Sequence, residues 1–136
     1  MAITGVFLKG YEARLISLCG SRAEHQLVAT KVNKIAIPKS PSVEDIQQFN
    51  LAFAEYCQQQ GTEQLVINRR ATTGKGAGGA GSFILEGVLL ASSQWPISFV
   101  HPATLRATDN KYAELKNYRP ATQDLGKAYD LAFELL

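Results

Sequence analysis

Residues 64–86 restrict the fold more than any other part of the chain, because they place a strand, a loop and a helix in direct succession. Gln64-Leu65-Val66-Ile67 is a short apolar run closed by Asn68-Arg69-Arg70. Glycines then recur from Gly74 to Gly81, too densely for the interior of a helix or strand. Ser82-Phe83-Ile84-Leu85-Glu86 opens an apolar stretch, with Ser82 placed to cap a helix running to about Ser93. Open α/β sheets bind ligands in the crevice outside the carboxyl ends of their strands. This strand end and loop carry the cations Arg69, Arg70 and Lys75 and no carboxylate, so the matching ligand is an anion.

The flanking sequence supplies the rest of the sheet. Residues 3–8 are apolar and β-rich, and Gly10-Tyr11-Glu12 turns the chain into Ala13–Cys19 as a hairpin. His25–Ala29 can extend a strand, and Lys31–Ile37 alternates cleanly as a third strand with one wet face, ended by Pro38 and Pro41. Ser42-Val43-Glu44-Asp45 is a capping box with aspartate in place of the usual glutamate or glutamine. Ile46, Phe49, Phe53 and Tyr56 then share one face of a long helix, which Gly61 stops.

Beyond residue 93, Ile97–Val100 is a short buried strand ending at His101, and Pro102 heads a helix to about Thr108. Residues 109–121 are polar, a loop with a weak helical middle. Thr122 and Asp124 open a last helix with Leu125, Ala128, Leu131, Ala132 and Leu135 on its apolar face. Helices between successive strands favour right-handed parallel crossovers. The expected fold is α/β, a five-stranded mixed sheet of three antiparallel strands then two parallel ones, flanked by helices. A single domain covers residues 1–136.

Composition removes several classes. At 46% hydrophobic and 19% charged residues, the chain can bury a core without disulfides or metal. Its formal net charge is only +2, so attraction to nucleic acid has to come from local clustering. No apolar run approaches the roughly 18 residues of a membrane span. Met1–Leu8 lacks the pattern of a secretory signal, so a cytoplasmic location is expected, with Cys19 and Cys57 as reduced thiols. His25, His101 and the two distant cysteines give no zinc-ligand spacing. Gly76–Gly81 formally matches the dinucleotide fingerprint but does not directly follow a strand, and no Gly-Lys-Ser or Gly-Lys-Thr occurs.

Several segments carry a family resemblance. Gly5-Val6-Phe7-Leu8-Lys9-Gly10 resembles the first-strand motif of RuvC-type Holliday-junction resolvases, which have the ribonuclease H-like fold. Val100-His101-Pro102-Ala103-Thr104-Leu105-Arg106 resembles their fifth strand and following helix, and Lys127-Ala128-Tyr129-Asp130-Leu131-Ala132 their terminal-helix motif. Over nearly its whole length the chain resembles a bacterial family known as domain of unknown function 3010, on Gly74–Gly79 and the serine-led helix Ser82–Glu86. The resemblance implies a ribonuclease H-like fold. It implies no established activity.

The departures from the resolvase pattern bear on chemistry. Active members hold two divalent ions about 3.5–4 Å apart on about four carboxylates. Here Phe7 stands at the first-strand acid, Asn68 at the fourth-strand acid and Lys127 at one last-helix acid, while Asp130 alone matches. One aspartate beside a lysine leaves too few oxygen ligands for magnesium or manganese, so no cofactor is expected. A relocated site would draw on Glu12, Glu86 or Glu134.

With that fold, strand ends converge and collect an anion- or nucleic-acid-binding set: Lys9, Asn68, Arg69, Arg70, Lys75 and Lys127, near His101 and Asp130. Lys111, Lys116 and Arg119 form a second basic patch for backbone contacts, and Trp95, Tyr112 and Tyr118 are available to stack bases. Structural roles stand beside these: Arg69 and Arg70 as solvated charges, His101 as a helix cap, Asp130 paired with Lys127 on an exposed face. The leading expectation is a degenerate nuclease domain that binds an anion, either nucleic acid or a small anion. The alternatives are a divergent phosphoester-processing enzyme with Asp130, Glu86 and His101 as catalytic groups, and a non-catalytic homo-oligomeric interaction module.

Overall fold

The computed structural model describes residues Met1–Leu136. The chain runs β1 (Ala2–Lys9), β2 (Glu12–Gly20), β3 (His25–Leu27), β4 (Lys34–Ala36), α1 (Val43–Gln60), β5 (Thr62–Asn68), α2 (Ala80–Ser92), β6 (Ile97–Val100), α3 (Pro102–Tyr112), a 3₁₀ turn (Ala113–Leu115) and α4 (Gln123–Glu134). The sheet order is β3-β2-β1-β5-β6, with β4 also paired to β2. β1, β2, β3 and β4 pair antiparallel, and β1-β5 and β5-β6 pair parallel. This is the expected mixed sheet with one correction: six strands, not five. The third position is filled by β3 and β4, each bonded to a different end of β2. Between them the Thr30 hydroxyl accepts from the Val32 N–H at 3.1 Å, a local turn that competes with the ladder.

Two apolar layers sandwich the sheet. Val6, Leu8, Leu15, Leu65 and Ile67 pack against Phe49, Phe53 and Tyr56 of α1 and Leu85 and Leu89 of α2. Burying each such side chain contributes about 1.5–3 kcal/mol. α1 begins as its sequence dictates: Asp45 N–H donates to the Ser42 hydroxyl at 3.1 Å, and Ser42 N–H to the Asp45 carboxylate at 2.9 Å. A buried hydroxyl chain then ties this layer to the sheet, from Thr62 to Thr4 (2.8 Å), Ser17 (2.7 Å) and Tyr56 (2.9 Å). Each polar group in it is satisfied, so its burial is tolerated.

On the opposite face, Ile16, Leu18 and Val66 meet Ala128, Tyr129, Leu131 and Phe133 of α4. α4 lies directly on β1 at Gly5, where a Cβ would stand 1.9 Å from the Ala128 carbonyl oxygen. Only glycine fits there. Sequence periodicity marks one stripe of α4 as apolar, yet the helix is buried almost all round from Ala128 to Phe133, while Leu135 is exposed. The cover comes from α3 and the turn after it, which extend the helical region to Leu115, well past Thr108.

α2 also differs from expectation. It starts at Ala80 with Gly79 as N-cap and no side-chain cap. Ser82 lies inside the helix and donates its hydroxyl proton to the Gly79 carbonyl at 2.7 Å. No helix is long and apolar enough to cross a membrane.

A cationic cleft at the ends of the parallel strands

Parallel pairing of β1, β5 and β6 brings their carboxyl ends to one edge of the sheet. A cleft of about 690 Å³ opens there. Lys9, Arg69, Arg70, Lys75, Arg106 and Lys127 line it, and no aspartate or glutamate does. Phe7, Pro102 and Leu105 supply apolar lining, and Asn68 and His101 border the cleft as well. The glycine loop forms one side. It is closed on itself by an Ala71–Ala77 bridge and a Gly78 N–H to Ala71 carbonyl bond of 2.9 Å. Gly74 (φ 79°) and Gly76 (φ 85°) make the reversal, in a backbone region that disfavours residues with a Cβ.

The binding set expected from sequence therefore converges, but its members differ in freedom. Arg69 is exposed, and its guanidinium lies 3.9 Å over the Phe99 ring with every N–H left for a ligand. Lys75 is exposed on the loop and Lys127 is half-buried on α4; neither forms an ion pair. Lys9 leans on Asp124 at 3.5 Å, an exposed and weak pair.

Arg70 is held differently. Its side chain is only 7% exposed, donating to Glu86 at 2.6 Å and to the Asn68 carbonyl at 2.5 Å, over the Phe83 ring at 4.8 Å. Its Nε has no partner. Asn68 is occupied as well: its Oδ1 accepts from the Leu8 N–H at 2.8 Å and its Nδ2 donates to the Leu8 carbonyl at 3.1 Å. Both residues shape the cleft by holding its walls.

The three candidate catalytic groups are not brought together. His101 borders the cleft and caps α3, its Nδ1 accepting from Ala103 N–H at 3.0 Å. Glu86 is spent on Arg70. Asp130 is buried under the 109–119 segment, accepting from Lys116 at 2.9 Å and Arg119 at 2.9 Å. Lys116 also pairs with Asp109. The side chains of Asp130 and Lys116 are each 3% exposed, so neither the surface pair of Asp130 with Lys127 nor a phosphate contact by Lys116 is formed. The cause is the cover over α4, which takes both residues out of water.

The remaining acids are dispersed. Glu12 pairs with Arg14 and Lys34, and Glu134 accepts from Thr108 at 2.6 Å. No three His, Cys, Asp or Glu side chains form a group able to hold a metal ion. A two-metal centre does not fit this donor set, because hard divalent cations need several oxygen ligands and the cleft presents ammonium and guanidinium instead.

Trp95, Tyr112 and Tyr118 lie away from the cleft: Trp95 packs on the α1/α2 core, Tyr112 under Arg22 at 4.7 Å, and Tyr118 edge-on to His25 at 5.5 Å. His25 is buried, donating from Nδ1 to the Arg22 carbonyl at 3.1 Å and accepting from the Tyr129 hydroxyl at 2.5 Å. Burial pushes that hydroxyl up to about 12. Sequence reading missed Arg106 as a cleft residue and missed the apolar lining. The available signal was position: Leu105 and Arg106 sit one turn into a helix that starts where a parallel strand ends.

The fold has clear relatives among solved structures. Thermus thermophilus RuvC in complex with a Holliday junction substrate matches with a TM-score of 0.72 at 14% identity, covering 98% of this chain and 91% of that one. A second Thermus thermophilus RuvC structure matches at 0.72 and 15% identity, covering 98% and 92%. Fowlpox virus resolvase, solved with Holliday junction DNA, matches at 0.54 and 10% identity, covering 98% and 97%. At these identities the likeness is one of fold, the ribonuclease H-like fold of RuvC. No sequence among curated proteins matches the chain. The family described as "Protein of unknown function (DUF3010)" matches residues 1–135, essentially end to end, and the chain belongs to that family.

Proposed function

We propose that the cleft is a binding site for nucleic acid and that the domain has given up two-metal phosphodiester hydrolysis. One observation carries this reading: six cationic side chains and no carboxylate line the crevice where the fold places its chemistry. The whole chain has a formal net charge of only +2, so this edge concentrates positive potential that the rest of the surface lacks. Arginine grips phosphate by two parallel hydrogen bonds, and lysine adds charge without demanding geometry. The structural neighbours solved with Holliday junction DNA support a polynucleotide over a small anion as the occupant.

The test is fluorescence anisotropy with labelled single-stranded, duplex and four-way-junction DNA, and with RNA, at low and moderate salt in the presence of magnesium. The expected result is salt-sensitive binding with intact substrate. Affinity for a single strand should fall with a log–log slope of about −0.7 per phosphate neutralised. Cleavage would overturn the loss of hydrolysis. Absence of binding to every probe at low salt would remove nucleic acid and leave a small anion or a protein.

A further inference from the structure

We infer that the cleft takes a single strand, with one unpaired base seated against Phe7 and its phosphate on the glycine loop; this rests on the nucleic-acid reading above. The lining is of two chemical kinds. Arg69, Lys75 and Lys127 carry charge, whereas Phe7, Pro102 and Leu105 form an apolar wall. A small inorganic anion has no apolar surface to place on that wall. A duplex has the apolar faces of its bases, but they are stacked on their neighbours. An unpaired nucleotide carries a π-face and a charged phosphate a few bonds apart, which is the combination the cleft presents.

Phe7 is the centre of the inference. It is half-buried at the end of β1, its inner part packed against the layer that holds Val66 and Leu131, with the remainder bordering the cleft. At the position that resembles the resolvases' first-strand acid, this chain carries an aromatic ring. Aromatic stacking is the sequence-tolerant way proteins hold unpaired bases, and every base has the face it needs. The cleft volume of about 690 Å³ accommodates a nucleotide unit.

Polar groups suited to the phosphate and the base edge lie around this wall. Because His101 Nδ1 accepts from the Ala103 N–H, the neutral ring carries its proton on Nε2, leaving that nitrogen a donor. α2 starts at Ala80 beside the loop with no side-chain cap, so its first amides are unmet by any side chain.

The test compares two probes of equal charge by anisotropy at the same salt: a short thymidine oligomer and an oligomer of abasic residues of the same length. The expected result is binding of both, with the abasic strand weaker by about tenfold or more. Phe7→Leu, which keeps an apolar side chain in the layer, should bring thymidine binding down to the abasic level and leave abasic binding unchanged. Thermal melting of the variant verifies its fold, and Phe7→Tyr, which keeps the ring, should restore the difference between probes. Equal binding of the two probes by the natural chain overturns the base-seating inference and leaves the nucleic-acid reading intact. A Phe7→Leu protein that still discriminates them places the base elsewhere and overturns it too. No binding of either probe at low salt overturns the single-strand inference, and the nucleic-acid reading falls with it only if duplex and four-way-junction DNA and RNA also fail to bind.

Discussion

Asn68 extends the β1–β5 pairing through its side chain, accepting from the Leu8 N–H at 2.8 Å and donating to the Leu8 carbonyl at 3.1 Å. The regular parallel register stops one residue earlier, at Val6 opposite Ile67. An amide offers a donor and an acceptor side by side, whereas an ionised carboxylate only accepts. Asn68→Asp, which restores the acid of the resolvase pattern, sets a carboxylate oxygen against the Leu8 carbonyl and loses a donor. We expect destabilisation of about 1–3 kcal/mol by urea unfolding, and no gain in melting temperature on adding magnesium or manganese. A metal-induced stabilisation of this variant would show that the cleft still assembles a cation site.

Asp130 serves the fold as an anchor. Removing its charge leaves Lys116 and Arg119 facing a neutral group, with Lys116 3% exposed and Asp109 as its remaining partner. Breaking a buried pair on one side costs about 3–5 kcal/mol, because the other charge stays desolvated. Asp130→Asn should lower stability by that order and speed amide exchange in residues 113–120. Unchanged melting would place Asp130 outside the structural core of α4.

The two adjacent arginines should separate cleanly. Arg69→Ala combined with Lys75→Ala removes exposed side chains and should change stability by less than about 1 kcal/mol. It should lower the salt slope of single-strand binding by about 0.7 for each phosphate the variant no longer neutralises. Arg70→Ala leaves Glu86 half-buried without its partner and should cost about 3 kcal/mol of stability. A double-mutant cycle of Arg70 with Glu86 would show strong coupling, whereas one of Arg69 with Glu86 would show none.

Stability should fall at alkaline pH. Burial pushes the Cys57 thiol from 9.0 up to about 12 and the Tyr56 hydroxyl from 10.0 up to about 12, and Tyr129 rises to the same value. These groups are neutral when folded and ionise more easily when unfolded. Their contribution is therefore complete below about pH 8 and is lost as pH climbs toward the folded values. By about pH 10.5 the loss is about 2 kcal/mol from Cys57 and about 1 kcal/mol from each tyrosine. Urea unfolding at the two pH values should show it, and Cys57→Ala should roughly halve the difference. A Cys57→Ala protein with the full difference would assign the alkaline loss to other groups.

The convergence of Lys9, Arg69, Lys75, His101 and Lys127 was expected only through the resemblance to the resolvase fold, whereas the order of elements and the start and stop of α1 were legible from residue order alone. They rest on local rules: apolar periodicity, the Ser42–Asp45 box, Gly61 as a helix stop, and the geometry that gathers parallel strand ends at one edge. The split of the third strand at Thr30 and the uncapped start of α2 were not, because each depends on which of two local hydrogen bonds prevails. Nor was the fate of the charges. Arg69 and Arg70 are identical side chains one residue apart, yet one lies exposed over Phe99 and the other is buried against Glu86, sixteen residues on. Lys116 and Asp130 look like solvated charges in sequence and are sealed together in the fold. A sequence specifies how many charges a chain carries; which of them keep their water depends on the elements that pack above them, and that alone separates the cations free to meet a ligand from those that hold the cleft in shape.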